Sequence, residues 1–377
     1  MNKKGKCFII VLLMLFLLCG CQGYRGLDEM VIVTGIAIDK TPENDNYRLT
    51  FEIVDLTVPV KEMGLKGQVI ESEGKTLFDA VRNAKKRITK KLYFGQAQII
   101  IVSQEIARNE DVGIIIDWFL RDVECRETMC FIISQEETAR EMFEIEALTH
   151  PLVSTEINNI LELDQEVTST TLCVELYKAF GGLHSEGEEL ALPVIHKAIN
   201  NGKTVGETNG MAVFKDNKLV GFLPPNESKY YLFAIDEVKG GILTLSAFGE
   251  EHNISLEIFE NKTGASFDYK DGKVKVTVKT DTTVYLGEVM RPYAPMDEKE
   301  INELEDIAKS ELKKNISNSI KKVQSEFGAD IYGFGNMIYK KDIKLWKQLA
   351  ENWEEHFRTL EVEVESEIEI ANTASLK

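Results

Sequence analysis

The feature that most constrains the fold is an unbroken two-residue alternation near the C-terminus. Glutamate occupies every odd-numbered position from Glu361 to Glu369, and the even-numbered positions of 360–370 are apolar apart from Ser366. A period of two is typical of a β-strand with one buried face and one solvated face. The chain therefore requires a sheet that is wet on one side and covered on the other.

A second run offers a neighbour for this strand. Residues 273–279 alternate valines with Lys273, Lys275 and Lys279. If the two strands are adjacent, lysines face glutamates across the sheet, and opposite charges at facing positions favour strand pairing. We therefore predict that both strands lie in one antiparallel sheet, with helices covering the opposite face.

A long helix precedes the final strand. Asp297 and Glu300 have the spacing of a capping box, and an apolar stripe continues from there to Phe327, where Gly328 predicts the end of the helix. At 1.5 Å per residue such a helix is about 45 Å long, which is enough to cross a sheet. The second half also contains two predicted hairpins, with turns at Asp216-Asn217 and Asp271-Gly272.

The first half mixes strands and helices. The patterns predict strands at 30–39, 47–56, 98–102 and 129–134, a helix capped by Thr76, a helix at 111–124, and a mainly helical remainder up to about residue 199. We therefore predict an α+β, multidomain protein with mostly antiparallel sheets and helices packed on one face.

Turn residues at 200–203 mark the best domain boundary. About 350 residues also exceed what one hydrophobic core usually covers. We predict an N-terminal α+β region at 28–199, either one unit or two subdomains. A C-terminal α+β domain at 205–371 would place the long helix against an antiparallel sheet.

The first 27 residues predict export and lipidation. Lysines at positions 3, 4 and 6 precede an apolar run at 8–18, and Gly20 lies directly before Cys21. The run is too short to span a membrane and is typical of a signal peptide, here residues 1–20. Leu18-Cys19-Gly20-Cys21 reads as a lipobox, so Cys21 is the predicted lipidation site and 21–27 a lipidated tether. An ordinary signal peptide with an incidental cysteine is the alternative.

Charge limits the partners of the exported chain. Loss of residues 1–20 removes three of the 44 basic residues and none of the 62 acidic ones, so the formal charge changes from −18 to −21. Such a surface repels nucleic acid and anionic headgroups. A basic cluster at 85–91 is the exception. It could contact headgroups, but compensation of a helix dipole is the preferred interpretation.

The remaining cysteines and histidines suggest no reactive centre. Cys125, Cys130 and Cys173 are interpreted as small buried hydrophobic residues, with a Cys125–Cys130 bridge left open. The five histidines lack metal-ligand spacing, and neither a complete phosphate-binding loop nor a G-x-S-x-G motif occurs. We predict that the protein is not an enzyme and has no cofactor or metal site.

The order of several segments resembles one family. A lipobox is followed by VTGIAID at 33–39, Arg121 and Arg126 in the middle, and GMAVF at 210–214 leading to Leu219 and Gly221. GADIYGFG at 328–335, a helix with two tryptophans and the alternating strand complete the pattern. This resembles the Ger(x)C family of germinant-receptor lipoproteins along the whole exported chain. The ending at 371–374 departs from the basic residue and glycine typical of that family.

The resemblance implies a non-enzymatic subunit of a three-part nutrient receptor in spore germination. It further implies A- and B-type integral membrane subunits as partners and anchoring by lipid at the outward face of the spore inner membrane. Cys21 is the one functional residue carried over. Direct binding of the germinant is left open, and so is the role of the 330–335 loop, which either shapes the backbone or contacts a partner through Tyr332 and Phe334.

Two other functions remain as alternatives. A solute-binding lipoprotein of a transporter would also need a lipid anchor and two lobes, but such lobes are usually built from β-α-β units. A lipid-anchored hydrolase is disfavoured because no catalytic triad or metal signature is present.

Overall fold

A computed structural model of the protein describes residues 26, 29–54, 67–122, 124–290 and 296–372. The first sheet has nine strands, in the order β3-β2-β1-β5-β6-β7-β8-β9, with β4 also paired to β1. Its strands are β1 (Met30–Lys40), β2 (Tyr47–Val54), β3 (Gln68–Gly74), β4 (Lys91–Tyr93), β5 (Ile99–Ser103), β6 (Cys130–Ser134), β7 (Ala191–Asn200), β8 (Lys203–Lys215) and β9 (Lys218–Leu223). The α+β class predicted from the sequence is confirmed.

Helices accompany both halves of the chain. Those of the first half are α1 (Leu77–Ala84), α2 (Gln104–Asn109), α3 (Val112–Arg121), α4 (Val153–Val167) and α5 (Leu176–Leu183), with a 3₁₀ turn at Ala139–Phe143. The predicted cap of α1 is present, because the Thr76 hydroxyl accepts a hydrogen bond from the backbone N–H of Asp79 at 3.1 Å.

The centre of the first sheet is parallel and buried on both faces. Strands β1, β5, β6 and β7 run in one direction, and every residue of β5 and β6 is buried. Alternate residues pack to opposite sides: Phe131 joins the core under α3, whereas Ile132 packs against the 3₁₀ turn and α4. Helices therefore cover both faces here, although one covered face was expected, because a parallel sheet buries both its faces.

The second sheet has the order β10-β11-β12-β13. Its strands are β10 (Ile242–Ala247), β11 (Glu250–Lys270), β12 (Lys273–Val289) and β13 (Glu361–Asn372), and the later helices are α6 (Pro225–Ala234), α7 (Glu298–Lys322), α8 (Phe334–Lys341), α9 (Ile343–Leu349) and α10 (Trp353–Thr359). The Asp297–Glu300 capping box starts α7 as predicted, and a π-helical turn carries it to Gly328, which is left-handed at φ 62°.

The predicted neighbours β12 and β13 are adjacent, with Lys275 opposite Glu361 and Lys279 opposite Glu365. The Lys275 ammonium lies 3.2 Å from the Glu361 carboxylate and 2.9 Å from that of Glu363. The predicted antiparallel direction is wrong, since the strands are parallel. The chain between them passes through α7 to α10, and such a crossover returns the second strand in the same direction.

The turn that marked the domain boundary lies inside the first sheet. Asn201 and Gly202 connect β7 to β8, which pair from Asn200–Lys203 onward, so 191–200 is a strand where mainly helix was expected. Its first five residues are buried, because this strand completes the parallel centre. One hydrophobic core extends through both halves. The division into 28–199 and 205–371 therefore stays a proposal, with β8 and β9 joining the two parts.

The cysteines also differ from expectation. Cys130 and Cys173 form a disulfide with a Cα–Cα separation of 5.5 Å, and Cys125 is the free cysteine of the described chain. Cys130 could not pair with Cys125 because strand β6 places it beside residues 173–175, where it bridges to Glu175. Burial raises the pKa of the Cys125 thiol to about 12, which keeps it protonated.

Candidate functional site

The predicted lipidation site, Cys21, lies outside the described residues, as do the whole predicted signal peptide and all of the tether except Gly26. The first continuous described stretch, residues 29–54, begins one residue before β1. Within 26–372, leaving aside the masked positions, no helix combines the length and the apolarity needed to cross a membrane. The other distinctive sequence feature, the 328–335 loop, is fully described. Together with residues 184–189 it connects the two halves of the molecule, and we call this contact the joint.

Asp330 organises this loop. Its side chain is buried, and its carboxylate accepts hydrogen bonds from the backbone N–H groups of Phe334 at 3.2 Å and Gly335 at 2.8 Å. The indole N–H of Trp353 donates to the same carboxylate at 3.1 Å. Asp330 thus fixes both the loop and the start of α10.

The two aromatic residues of the loop are buried. Tyr332 is 9% exposed and Phe334 is 1% exposed, and their rings stack with centroids 5.4 Å apart. The Tyr332 hydroxyl lies 3.1 Å from that of Ser319 on α7, while Gly333 is left-handed at φ 69°. A partner contact through Tyr332 and Phe334 is therefore not supported. The loop instead uses its glycines for backbone geometry.

Close packing joins the loop to residues 184–189, which precede β7. The backbone N–H of Glu189 donates to the carbonyl of Asp330 at 2.9 Å, and that of Asn336 donates to the carbonyl of Gly187 at 3.2 Å. A Cβ on Gly335 would lie 2.5 Å from the Gly187 carbonyl oxygen and 2.7 Å from the Trp353 ring. Only glycine permits this approach.

A cleft of about 590 Å³ opens beside the joint. Residues from both halves line it, among them Glu188, Glu189, Lys215, Asp330, Trp346 and Trp353. Burial raises the pKa of Asp330 to about 7 against the lowering effect of its hydrogen bonds. Burial likewise raises the pKa of Glu189 to about 7, with the nearby Asp216 adding to the increase.

The arrangement favours a structural role over a catalytic one. His184 and Ser185 line the cleft, but each bonds to a carbonyl of α5, those of Phe180 and Gly181 respectively, at 2.9 Å. Among the residues that the structure describes, no group of three or more His, Cys, Asp or Glu side chains is arranged to hold a metal ion. The joint can instead change protonation near neutral pH.

Sequence reasoning found the loop but missed its partner segment. The glycines and aromatic residues of 328–335 were singled out, whereas residues 184–189 were included in the mainly helical remainder predicted up to about residue 199. The available signal was Gly187, whose positive φ of 69° and contact with Gly335 require a residue without a Cβ.

Comparison with known proteins gives the same result for both halves of the chain. Residues 23–197 match a family described as spore germination protein N-terminal domain, and residues 209–374 match one described as spore germination B3/GerAC like, C-terminal. The two matches follow each other in order and together extend over most of the sequence.

Full-length relatives show the same correspondence. The chain is 24% identical to spore germination protein KC of Bacillus subtilis, over 98% of this chain and 96% of the relative. It is 22% identical to spore germination protein B3 of the same organism, over 98% of both chains. The crystal structure of the GerBC protein superposes with a TM-score of 0.60 at 18% identity, over 90% of this chain and 97% of GerBC, which establishes a shared fold.

Proposed function

Because this chain belongs to the Ger(x)C family of spore germination proteins, we propose that it is the lipid-anchored C-type subunit of a nutrient germinant receptor. The observation that carries the proposal is the family match over both halves, from residue 23 to residue 374. It begins two residues after Cys21, which is compatible with a germination protein that follows directly on the proposed anchor.

The geometry of the chain is compatible with a short tether. Eight residue steps separate Cys21 from Glu29, where the first continuous described stretch begins. Fully extended, they reach no more than about 28 Å. Two acyl chains on Cys21 would supply the two hydrophobic signals that stable anchoring requires. The folded body would therefore stay within a few nanometres of the outer surface of its membrane.

The proposed role is non-enzymatic and depends on partners. The relatives KC and B3 are both named for germination and for no reaction. We propose A- and B-type integral membrane subunits as partners and the spore inner membrane as the location. The body would serve as an assembly and response element beside them.

A transporter-type solute receptor is less well supported. The parallel centre of the first sheet does contain β-α-β connections, and a cleft lies between the two halves. However, β8 and β9 continue the first sheet across the junction, and one core unites both halves. Two lobes that close around a solute need a hinge, and this junction is instead tightly packed.

Replacement of the anchoring cysteine tests the proposal. Cys21→Ala should give a folded protein that leaves the membrane fraction, and spores carrying it should respond poorly to nutrient. The neighbouring Cys19→Ala variant is the matched control and should keep both properties. Normal nutrient germination by Cys21→Ala spores, with the protein absent from membranes, would contradict the proposal.

A further inference from the structure

One end of the first sheet gathers the entry point of the chain and a set of cations. Strand β1 begins at Met30, which pairs in parallel with Lys91 of β4. Strand β3 begins at the same end, because both β1 and β3 are antiparallel to β2. The tether therefore joins the body at the same end of the sheet as Val69, which lies near the start of the edge strand β3 and is 45% exposed.

The basic cluster at 85–91 follows helix α1 and lies toward this end of the sheet. The helix runs back along β3 and ends at Ala84, and the guanidinium of Arg87 donates to the carbonyl of Glu71 on β3 at 2.5 Å. Because a backbone carbonyl carries no net charge, this hydrogen bond does not neutralise the positive charge of Arg87. Lys85 and Lys86 are exposed, and neither forms an ion pair with any residue that the structure describes.

The helix dipole accounts for only part of this basic cluster. Arg82 is the basic residue in the last turn of α1, and its guanidinium lies over the Phe78 ring at 4.8 Å from the centroid. Lys86 and Arg87 lie beyond the helix, where the dipole effect has largely decayed. Compensation of the dipole, preferred from the sequence, therefore explains only Arg82 and the capping residue Lys85.

Neighbouring acidic groups leave the cluster a net positive charge. Glu124 pairs with Lys91, and Glu71 pairs with Arg140 on the 3₁₀ turn. Glu29, which precedes β1 at this end, is exposed and offsets part of the positive charge. Three positive charges, on Lys85, Lys86 and Arg87, remain at this end of a body whose formal charge is −21 after loss of residues 1–20.

We propose that this basic end, defined by Val69, Lys85, Lys86 and Arg87, rests against the anionic phospholipid headgroups of the membrane that holds the tether. The inference depends on the proposed lipid anchor and adds an orientation to it. An acidic body is repelled from an anionic surface except at a local cluster of opposite charge. Because the tether emerges at that cluster, attraction and anchoring act at the same place.

A tryptophan probe on each sheet edge tests the orientation. The full lipidated chain is reconstituted into vesicles of phosphatidylcholine, with or without phosphatidylglycerol, that contain brominated acyl chains. Val69→Trp places the probe at the basic end, and Ile242→Trp is the control, because Ile242 is 51% exposed on the edge strand β10. Quenching is measured relative to the parent chain, which keeps its three tryptophans.

We expect severalfold stronger quenching at position 69 than at position 242, with phosphatidylglycerol required and high salt abolishing the difference. Each lysine near an anionic surface changes the docked-to-undocked ratio by roughly fivefold. The Lys85→Glu/Lys86→Glu variant should therefore lose the effect, whereas Lys344→Glu/Lys347→Glu, on exposed positions of α9, should retain it.

The outcomes separate orientation from anchoring. Failure of the chain to stay with any vesicle would contradict the lipid anchor itself. If the chain stays on the vesicles but quenching is equal at positions 69 and 242, the proposed orientation is overturned. Quenching that does not depend on phosphatidylglycerol would overturn it as well. Protection of Lys85 and Lys86 from amine acylation in native spore membranes, but not in anionic vesicles, would assign the basic end to an acidic protein and so also overturn it.

Discussion

The two sheets meet the same requirement, burial of apolar residues, in opposite ways. In the first sheet β5 and β6 are buried at every position, because helices cover both faces. In the second sheet β13 alternates between buried residues such as Val364 and exposed glutamates, because one face meets water. A continuous apolar run therefore marks the covered centre of this molecule, and alternation marks its solvated edge.

The largest expected difference in stability is between truncation of a buried phenylalanine in the first sheet and truncation of an exposed phenylalanine in the second. Phe131 is fully buried in β6, whereas Phe259 on β11 is 58% exposed. We expect Phe131→Ala to lower the free energy of unfolding by about 3–5 kcal/mol through lost burial and the cavity left behind. Phe259→Ala should change it by less than about 1 kcal/mol. Equal losses in denaturant titrations would contradict the contrast between the sheets.

Glycines at the joint and in the second sheet provide the next contrast. A methyl group on Gly335 would meet the Gly187 carbonyl and the Trp353 ring, whereas one on Gly264 of β11 meets no atom within 4 Å. Gly335→Ala should cost about 1–3 kcal/mol through overpacking. Gly264→Ala serves as the control and should stay within about 0.5 kcal/mol. A tolerated Gly335→Ala would show that the joint is loosely packed.

The contribution of the joint to folding stability should also depend on pH. Burial raises the pKa of both Asp330 and Glu189 to about 7. A carboxyl whose pKa is higher in the folded state stabilises that state at low pH, and this contribution is lost as pH rises through the folded pKa, here near 7. Between pH 5 and 8 the stability of Asp330→Asn relative to the parent chain should therefore rise, by roughly 2–3 kcal/mol.

The matched control for that titration is Asp268→Asn, at an exposed position of β11. Its stability relative to the parent chain should stay constant over the same pH range. If the difference in stability between Asp330→Asn and the parent chain is also constant over this pH range, protonation of Asp330 does not affect the stability of the joint. The comparison uses urea unfolding at several pH values, so that all other titrating groups cancel between variant and parent.

The smallest effect is expected on the wet face of the second sheet. Lys275 contacts Glu361 and Glu363, and Lys279 lies opposite Glu365. Lys275→Glu/Lys279→Glu should lower the melting temperature slightly at low salt and less at high salt, because exposed charges are screened. Reversal of Lys344 and Lys347 is the control for net charge. An unchanged melting temperature would contradict a role for this cross-strand pairing.

The side-chain pattern of the sequence predicted which segments lie side by side, but it did not predict the direction in which the strands run. It placed Lys275 beside Glu361, but alternation looks the same in parallel and antiparallel neighbours, so the direction was wrong. It missed β7, whose buried start contains Pro193 and lacks a clean alternation. The Cys130–Cys173 disulfide joins residues 43 positions apart, which only the folded sheet brings together.

The candidate site follows the same division. Glycines and aromatic residues made the 328–335 loop recognisable, but an aspartate in a loop is normally solvated, so the burial of Asp330 could not be anticipated. The segment 184–189 carries no periodic pattern, and its role depends on contacts with residues about 150 positions away, such as that of Glu188 with Asn336. Long-range contacts of this kind leave little local signal.

Mass spectrometry of the N-terminal peptide, on protein isolated from spores, tests whether this fold is held at a membrane through Cys21. If it is, we expect a mature chain that begins at Cys21, with a diacylglyceryl group on its sulfur. A mature chain that begins elsewhere, or one in which Cys21 carries an unmodified thiol, would contradict it.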